Sequence, residues 1–281
     1  MGGGPAGLAA GLHLARAGYR VLLAERRGLG GQARSLGRIE NYPGFPSGID
    51  AGRLMDLWIR QARRWGLRTR RAEVRRIRRG QGRFDLGLDS GRPLAARAVV
   101  YCPGAAFREL GLPEERRFWG KGVFHEAGPR PALWRGRVVA VVGGGEAAAH
   151  QALALARHAR RVYHICRGDG VKAHRLLVRR LRNSARIIRI LGAAVGGLRG
   201  GRRLEAVEVV SRRGRLRLEV DALFVLVGKV PAALPFPARR PPPGFFAAGD
   251  AVAGPHRQVA IAAGSGMQAA MDAAAFLERN N

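Results

Sequence analysis

The sequence predicts an α/β protein built from two units of the same kind, and two observations carry that expectation. A glycine-rich turn that opens a helix and leads on to an apolar strand occurs twice, about 140 residues apart, at Gly2–Gly7 and at Gly143–Ala148. A proline-rich passage then leads to a third glycine turn and a long closing helix, which returns the chain to the first unit. At 281 residues and 47% hydrophobic content, the chain suits one large or two medium domains with real cores.

The elements follow in order. Gly2-Gly3-Gly4-Pro5-Ala6-Gly7 leads into a helix expected over Leu8–Ala17, a turn at Gly18 and an apolar strand Tyr19–Ala24 ending at Glu25. A loop from Gly28 to Pro46 precedes an amphipathic helix around Ala51–Trp65, with Leu54, Leu57 and Trp58 on one face. Residues 72–100 read as short antiparallel strands broken by Gly80 and Asp89-Ser90-Gly91, and Ala98–Tyr101 is a strand returning to Pro103-Gly104. Arg137–Val142 is a strand that runs into Gly143-Gly144-Gly145-Glu146, a helix to about His158 and a strand Arg161–Cys166. The second unit ends near Leu223–Gly228. A linker from Pro235 to Pro243 leads to Phe245–Asp250 and a helix from about Val259 to Leu277. The expected fold is therefore two Rossmann-like, three-layer dinucleotide-binding domains, the second inserted in the first. Residues 1–117 and 232–281 would form the first domain and 118–231 the second.

A turn with this glycine spacing lets backbone amides approach a pyrophosphate at a helix N-terminus, where the helix dipole is positive. In the first copy Gly2, Gly4 and Gly7, with Pro5 and Ala6 between them, are the candidate phosphate contacts. Glu25, at the end of the next strand, is placed to accept from a ribose hydroxyl. In the second copy Gly143, Gly145, Glu146 and Ala148 take those positions. No carboxylate follows its strand; Arg167 does, with Lys172 close behind, and cations there favour the 2′-phosphate of NADPH over the hydroxyl of NADH. Two dinucleotide sites in one chain point to hydride transfer between a nicotinamide and a flavin.

The net charge of +30 raises nucleic acid as a partner, but only Lys121, Lys172 and Lys229 are lysines. The arginines are scattered along the chain without interleaved aromatics, so a solvated arginine-rich surface is the preferred reading. Cys102 and Cys166 lie far apart, which suggests a reducing compartment and not a disulfide scaffold. No apolar run is long enough for a membrane span, and a cytoplasmic protein without a resident metal is expected.

Several motifs together resemble the thioredoxin reductase family of FAD/NAD(P)-dependent pyridine nucleotide-disulfide oxidoreductases, over nearly the whole chain. Gly30-Gly31-Gln32 with Ile39–Phe45 is similar to that family's flavin-contacting loop, and Phe246–Asp250 to its late FAD motif. Arg257-Gln258-Val259 resembles the segment that approaches the flavin ring, and Val227–Pro231 the domain-closing turn. The resemblance implies FAD contacts from Gly31, Gln32, Asn41, Val74, Gly104, Gly249, Asp250, Arg257, Gln258 and Val259. It also implies NADPH as the reductant and a homodimer.

The departures bear on chemistry. The family's Cys-x-x-C pair aligns with Glu126 and Pro129, neither of which can form a thiolate, so internal dithiol exchange is not expected. The chain resembles a divergent branch without that pair. The family's basic nicotinamide motif is thinned to Cys166, Arg167, Gly168 and Lys172. The family's first strand, which would precede Gly2, is absent, and the segment Ala232–Gly244 is short; loss of a central buried strand is expected to weaken the FAD site. His125 and Glu126 are candidate proton donors in the loop that faces the flavin in the family, and His256 beside Arg257 is the better-placed one. The expected activity passes hydride from NADPH to FAD and then to another acceptor: a quinone, oxygen, a partner's disulfide, or an acidic redox protein such as ferredoxin or flavodoxin. A non-catalytic or sensory flavoprotein or a decayed paralogue is the alternative, and a charge-driven nucleic-acid binder ranks last.

Overall fold

The structure, a computed structural model, describes residues 1–126, 131–237 and 240–280. Two compact units are formed, Met1–Ala106 with Pro231–Asn281, and Phe107–Val230. The expected role of Pro129 falls outside the described residues.

In the first unit Pro5, with its fixed φ, occupies the first turn of α1 (Pro5–Arg16). The helix starts three residues earlier than its apolar pattern suggests. Tyr19 N–H closes back on Leu14 O and Gly18 takes a φ of +86°, so Tyr19 finishes the helix turn and the strand expected from Tyr19 starts only at Leu22. Then follow β1 (Leu22–Glu25), the short pair β2 (Arg38–Ile39) and β3 (Ile49–Asp50), and α2 (Ala51–Arg64). Asp50 caps α2 by accepting from Arg53 N–H at 2.9 Å. Next come β4 (Arg68–Arg71), the antiparallel trio β5 (Val74–Arg79), β6 (Phe84–Leu88) and β7 (Leu94–Ala96), then β8 (Val99–Tyr101) and β9 (Ala105–Phe107).

The second unit contains β10 (Val123–Phe124), β11 (Val138–Val142), α3 (Glu146–Ala156), β12 (Arg161–Cys166), α4 (Arg175–Arg182) and β13 (Ile187–Leu191). An antiparallel sheet of β14 (Ala193–Arg199), β15 (Ala206–Ser211) and β16 (Gly214–Glu219) is followed by β17 (Ala222–Val225) and β18 (Lys229–Pro231). β10, β17, β11, β12 and β13, in that order, form one parallel sheet. Val139, Val141 and Phe224 bury one of its faces against Leu155 of α3 and Leu177 and Leu181 of α4; Ala140, Ile165, Leu223 and Val225 pack the other against the antiparallel sheet. Neighbouring residues of β11 and β17 are thus apolar on both faces, as a strand covered on both sides requires.

The chain then completes the first unit with β19 (Phe245–Ala247), a 3₁₀ turn at Gly249–Ala251, and α5 (Val259–Arg279). α5 lies tightly against α1: a Cβ on Gly266 would fall 2.1 Å from Ala6 O. Small residues at this contact let the two helix backbones approach closely.

The parallel strands of the first unit form two separate pairs, β1 with β4 and β19 with β8. Met1 and Gly2 join them. The Met1 ammonium donates to Val100 O at 2.7 Å, Cys102 N–H donates to Met1 O at 2.8 Å, and Gly2 N–H donates to Ala24 O at 2.9 Å. Met1 and Gly2 thus lie between the two pairs and bond to both. Burial lowers the ammonium's pKa, with the Cys102 thiol and Glu25 opposing.

Candidate functional site

The first glycine turn divides its labour among its glycines. Gly2 has a φ of +88° and a Cβ there would lie 2.0 Å from Cys102 O, while a Cβ on Gly7 would lie 1.8 Å from Gly2 O. These two let helix and strand close on each other. Gly4 meets nothing within 4 Å, so the open space of the turn lies over it. α1 has no side-chain cap on its N-terminus, so its first amides remain available to an anion.

Two later segments of the first unit press on this turn and the start of α1. Gly30 N–H donates to Gly3 O at 2.7 Å, and a Cβ on Gly31 would stand 2.9 Å from the Gly4 Cα. Gly249, with a φ of +76°, abuts Ala6 closely enough that its Cβ would lie 2.8 Å from the Ala6 Cβ, which brings Asp250 to the same helix end. Arg257 Nε donates to Asp250 O at 3.4 Å, and Asn41 Nδ2 donates to Gln258 Oε1 at 3.1 Å, so these four expected flavin contacts form two linked pairs. Gln32 donates through Nε2 to Ala105 O, but its Oε1 is buried without a donor. An orphaned buried acceptor beside an open, uncapped glycine turn fits a dinucleotide that carries its own donors.

Glu25 has a use that the sequence did not foretell. Its carboxylate accepts from Gly3 N–H at 2.6 Å and from Arg27 N–H at 2.7 Å, tying the turn to the end of β1. Each oxygen keeps a further lone pair for a ribose hydroxyl. Val74 packs beside Phe84, Leu86 and Met1 at the start of β5, and Gly104 accepts from Ala232 N–H; neither bonds directly to the turn. Val259 opens α5 and packs with Leu54 and Met55.

The second turn repeats the plan with different parts. Gly143 has a φ of +148° and a Cβ there would lie 2.3 Å from Leu226 O, so this position also demands glycine. Gly144 and Gly145 face open space, and α3, which begins at Glu146, has no side-chain cap. Ala148 is fully buried. Lys172 N–H donates to Gly144 O at 2.6 Å, and Lys172 pairs with Gly145 as an isolated bridge, so one of the two expected cations is fixed at the turn by its backbone. Arg167 is exposed directly after β12.

Beneath this turn lies a residue that the sequence reading passed over. His164 is fully buried, and its Nε2 lies 2.8 Å from Gly143 O; the Cys166 thiol donates to the same oxygen at 3.3 Å. Burial pushes the imidazole below its ordinary range, a shift that Arg189 assists and the Gly143 bond opposes. Burial raises the Cys166 thiol to about 11, so no thiolate forms there near neutrality. Cys102 is likewise raised to about 11 by burial, and both cysteines are free. A polar residue in an otherwise apolar strand was the available signal for His164.

Among the acid candidates, His125 is half-buried. Its ring stacks on Phe107 at 4.5 Å, meets Trp119 edge-on at 4.4 Å, and holds Val225 O at 2.9 Å through Nδ1. Burial lowers its pKa, and the Val225 bond opposes that shift. Glu126 follows it as a partly buried neighbour, and His256 is exposed. Among the described residues no cluster of side chains could hold a metal ion, and no helix is long and apolar enough to cross a membrane.

Residues 1–240 match the family model described as pyridine nucleotide-disulphide oxidoreductase. The NADPH-dependent thioredoxin reductase 3 of Arabidopsis thaliana is 32% identical over 100% of this chain and 58% of its own length. The bifunctional thioredoxin reductase/thioredoxin of Mycobacterium leprae is 32% identical over 99% of this chain and 65% of its own. The chain thus spans less than two thirds of either protein. The crystal structure of Lactococcus lactis thioredoxin reductase superposes with a TM-score of 0.92 at 26% identity, covering 99% of this chain and 97% of that one.

Proposed function

The chain belongs to the pyridine nucleotide-disulphide oxidoreductase family, whose thioredoxin reductases bind FAD and use NADPH, and on that premise we propose an NADPH-dependent flavin oxidoreductase that does not work through an internal disulfide. One observation carries the reading: each unit has an uncapped helix N-terminus behind a glycine turn whose middle glycine faces open space. The nicotinamide supplies a hydride and the flavin passes its electrons to an acceptor.

The residues divide the work. In the first unit Gly2, Gly4, Pro5, Ala6 and Gly7 cradle the FAD pyrophosphate, Glu25 takes the ribose, and Asp250 stands at the α1 end with Arg257. Gly31, Gln32, Asn41, Gln258 and Val259 border the flavin, with Val74 and Gly104 at its margins. In the second unit Gly143, Gly145, Glu146 and Ala148 cradle NADPH while Arg167 and Lys172 answer its 2′-phosphate. His256, His125 and Glu126 are the side chains to test as proton donors.

With no Cys-x-x-Cys in the sequence and both thiols raised to about 11, electrons leave by another route, to a quinone, oxygen, a partner's disulfide or an acidic redox protein drawn by the positive surface. Two buried free thiols suit a reducing, cytoplasmic setting, and a homodimer follows the resemblance. The test is anaerobic: NADPH-reduced protein is offered a quinone, a ferredoxin and oxidised thioredoxin. Reoxidation by at least one of the three is expected; flavin that stays reduced in the presence of all three contradicts the proposal. A second reading, a scaffold that binds without turning over, draws on the thinned nicotinamide motif Cys166, Arg167, Gly168 and Lys172.

A further inference from the structure

Gly143 is gripped from the β12 side by both of its backbone polar groups. Gly143 N–H donates to Ile165 O at 3.0 Å, and its carbonyl meets both His164 Nε2 at 2.8 Å and the Cys166 thiol at 3.3 Å. Since His164 Nε2 must carry the proton to donate, its Nδ1 is left as an acceptor, and that atom is buried without a partner. A leucine would fill this strand position without an orphaned atom, so packing alone does not account for a histidine here.

A trans peptide points its C=O and the following N–H in opposite directions. With the Gly143 carbonyl turned toward β12, the Gly144 N–H is turned away from it, and it donates to no described group. Gly144 also faces open space. An acceptor bonded twice polarises its peptide and strengthens the N–H on the other side.

We propose that His164, seconded by Cys166, is a positioning residue for the dinucleotide: it pins the Gly143 carbonyl so that the Gly144 amide is presented to a pyrophosphate oxygen. This rests on the reading of the second unit as the NADPH site. Glutamine carries its amide nitrogen the same number of bonds from Cα as the histidine Nε2, whereas asparagine is one bond short. The side-chain series therefore separates reach from polarity.

The experiment measures NADP⁺ affinity by equilibrium dialysis on the FAD-loaded protein, with the thermal midpoint recorded for each variant. His164→Leu is expected to weaken NADP⁺ about fivefold, the worth of one hydrogen bond, with an unchanged or higher midpoint. His164→Gln should stay near the native affinity and His164→Asn should resemble leucine. Native affinity in His164→Leu overturns the proposal, as does a loss shared by leucine and glutamine in step with a lowered midpoint. If the native protein itself binds neither NADP⁺ nor NAD⁺, the nucleotide reading falls and takes this one with it, a result distinct from native binding that His164→Leu leaves intact.

Discussion

The two units solve one problem, holding a glycine turn against a helix N-terminus, with unequal support. In the second unit the strand that feeds the turn, β11, lies between β17 and β12 with five aligned residue pairs on one side and four on the other. In the first unit Met1 and Gly2 lead into the turn, bonded to β8 on one side and β1 on the other. Contacts from elsewhere in that unit also hold the turn: Gly30 and Gly31 press on it, and Gly249 and Gly266 bring α5 and its approach against α1. These tertiary contacts help to seat the turn, and each of them depends on a glycine.

The largest effect that would break this comparison is at Gly7. Gly7→Ala forces a Cβ to within 1.8 Å of Gly2 O, on backbone that cannot move aside, and should cost about 3 kcal/mol or more and empty the flavin site. Thermal melts and the flavin content of the purified protein check it. Gly4→Ala, which meets nothing within 4 Å in the protein, should leave the fold standing and weaken FAD by crowding the ligand instead.

Next in size are the cations of the second turn. Lys172→Ala should weaken NADPH about fivefold while leaving NADH nearly unchanged, because backbone bonds fix Lys172 beside Gly144 and Gly145. Arg167→Ala should act in the same direction. Equal losses for both nucleotides would remove the 2′-phosphate from these two residues.

The smallest effect is acid sensitivity. His125 and His164 both titrate lower in the folded chain than the ordinary value of 6.5, so the unfolded chain holds more protons in the window between. Their contribution to stability is present above 6.5 and is lost as the pH falls through the folded values. Denaturant titrations from pH 7.5 down to pH 5 should show this decline, and His164→Leu should flatten it. A slope unchanged in His164→Leu would place the acid sensitivity elsewhere.

Where apolar residues alternate or run together, sequence was enough: the strand Arg161–Cys166 stands as read, and α5 begins at Val259 as expected. The antiparallel sheet β14–β16 was not read, because Gly196, Gly197 and the arginines at 199, 212, 213, 215 and 217 interrupt its alternation, and the inward face shows only once Leu198, Val207, Val209 and Leu218 are packed together. α4 was missed for a related reason: only Leu177 and Leu181 of its eight residues are buried, too few for a period to be seen. At the site, the glycines were legible because their spacing is local. Glu25 tying Gly3 to Arg27, Lys172 returning to Gly145, and His164 under Gly143 were not, since each depends on a contact between residues well apart in the chain.

The central claim, a flavin in the first unit reduced by a nicotinamide in the second, is tested most directly by the visible absorption spectrum of the purified protein before and after anaerobic NADPH. The account predicts an oxidised-flavin spectrum that bleaches on addition of NADPH. A protein reconstituted with FAD whose flavin stays oxidised under excess NADPH would contradict it, and would leave the scaffold reading in its place.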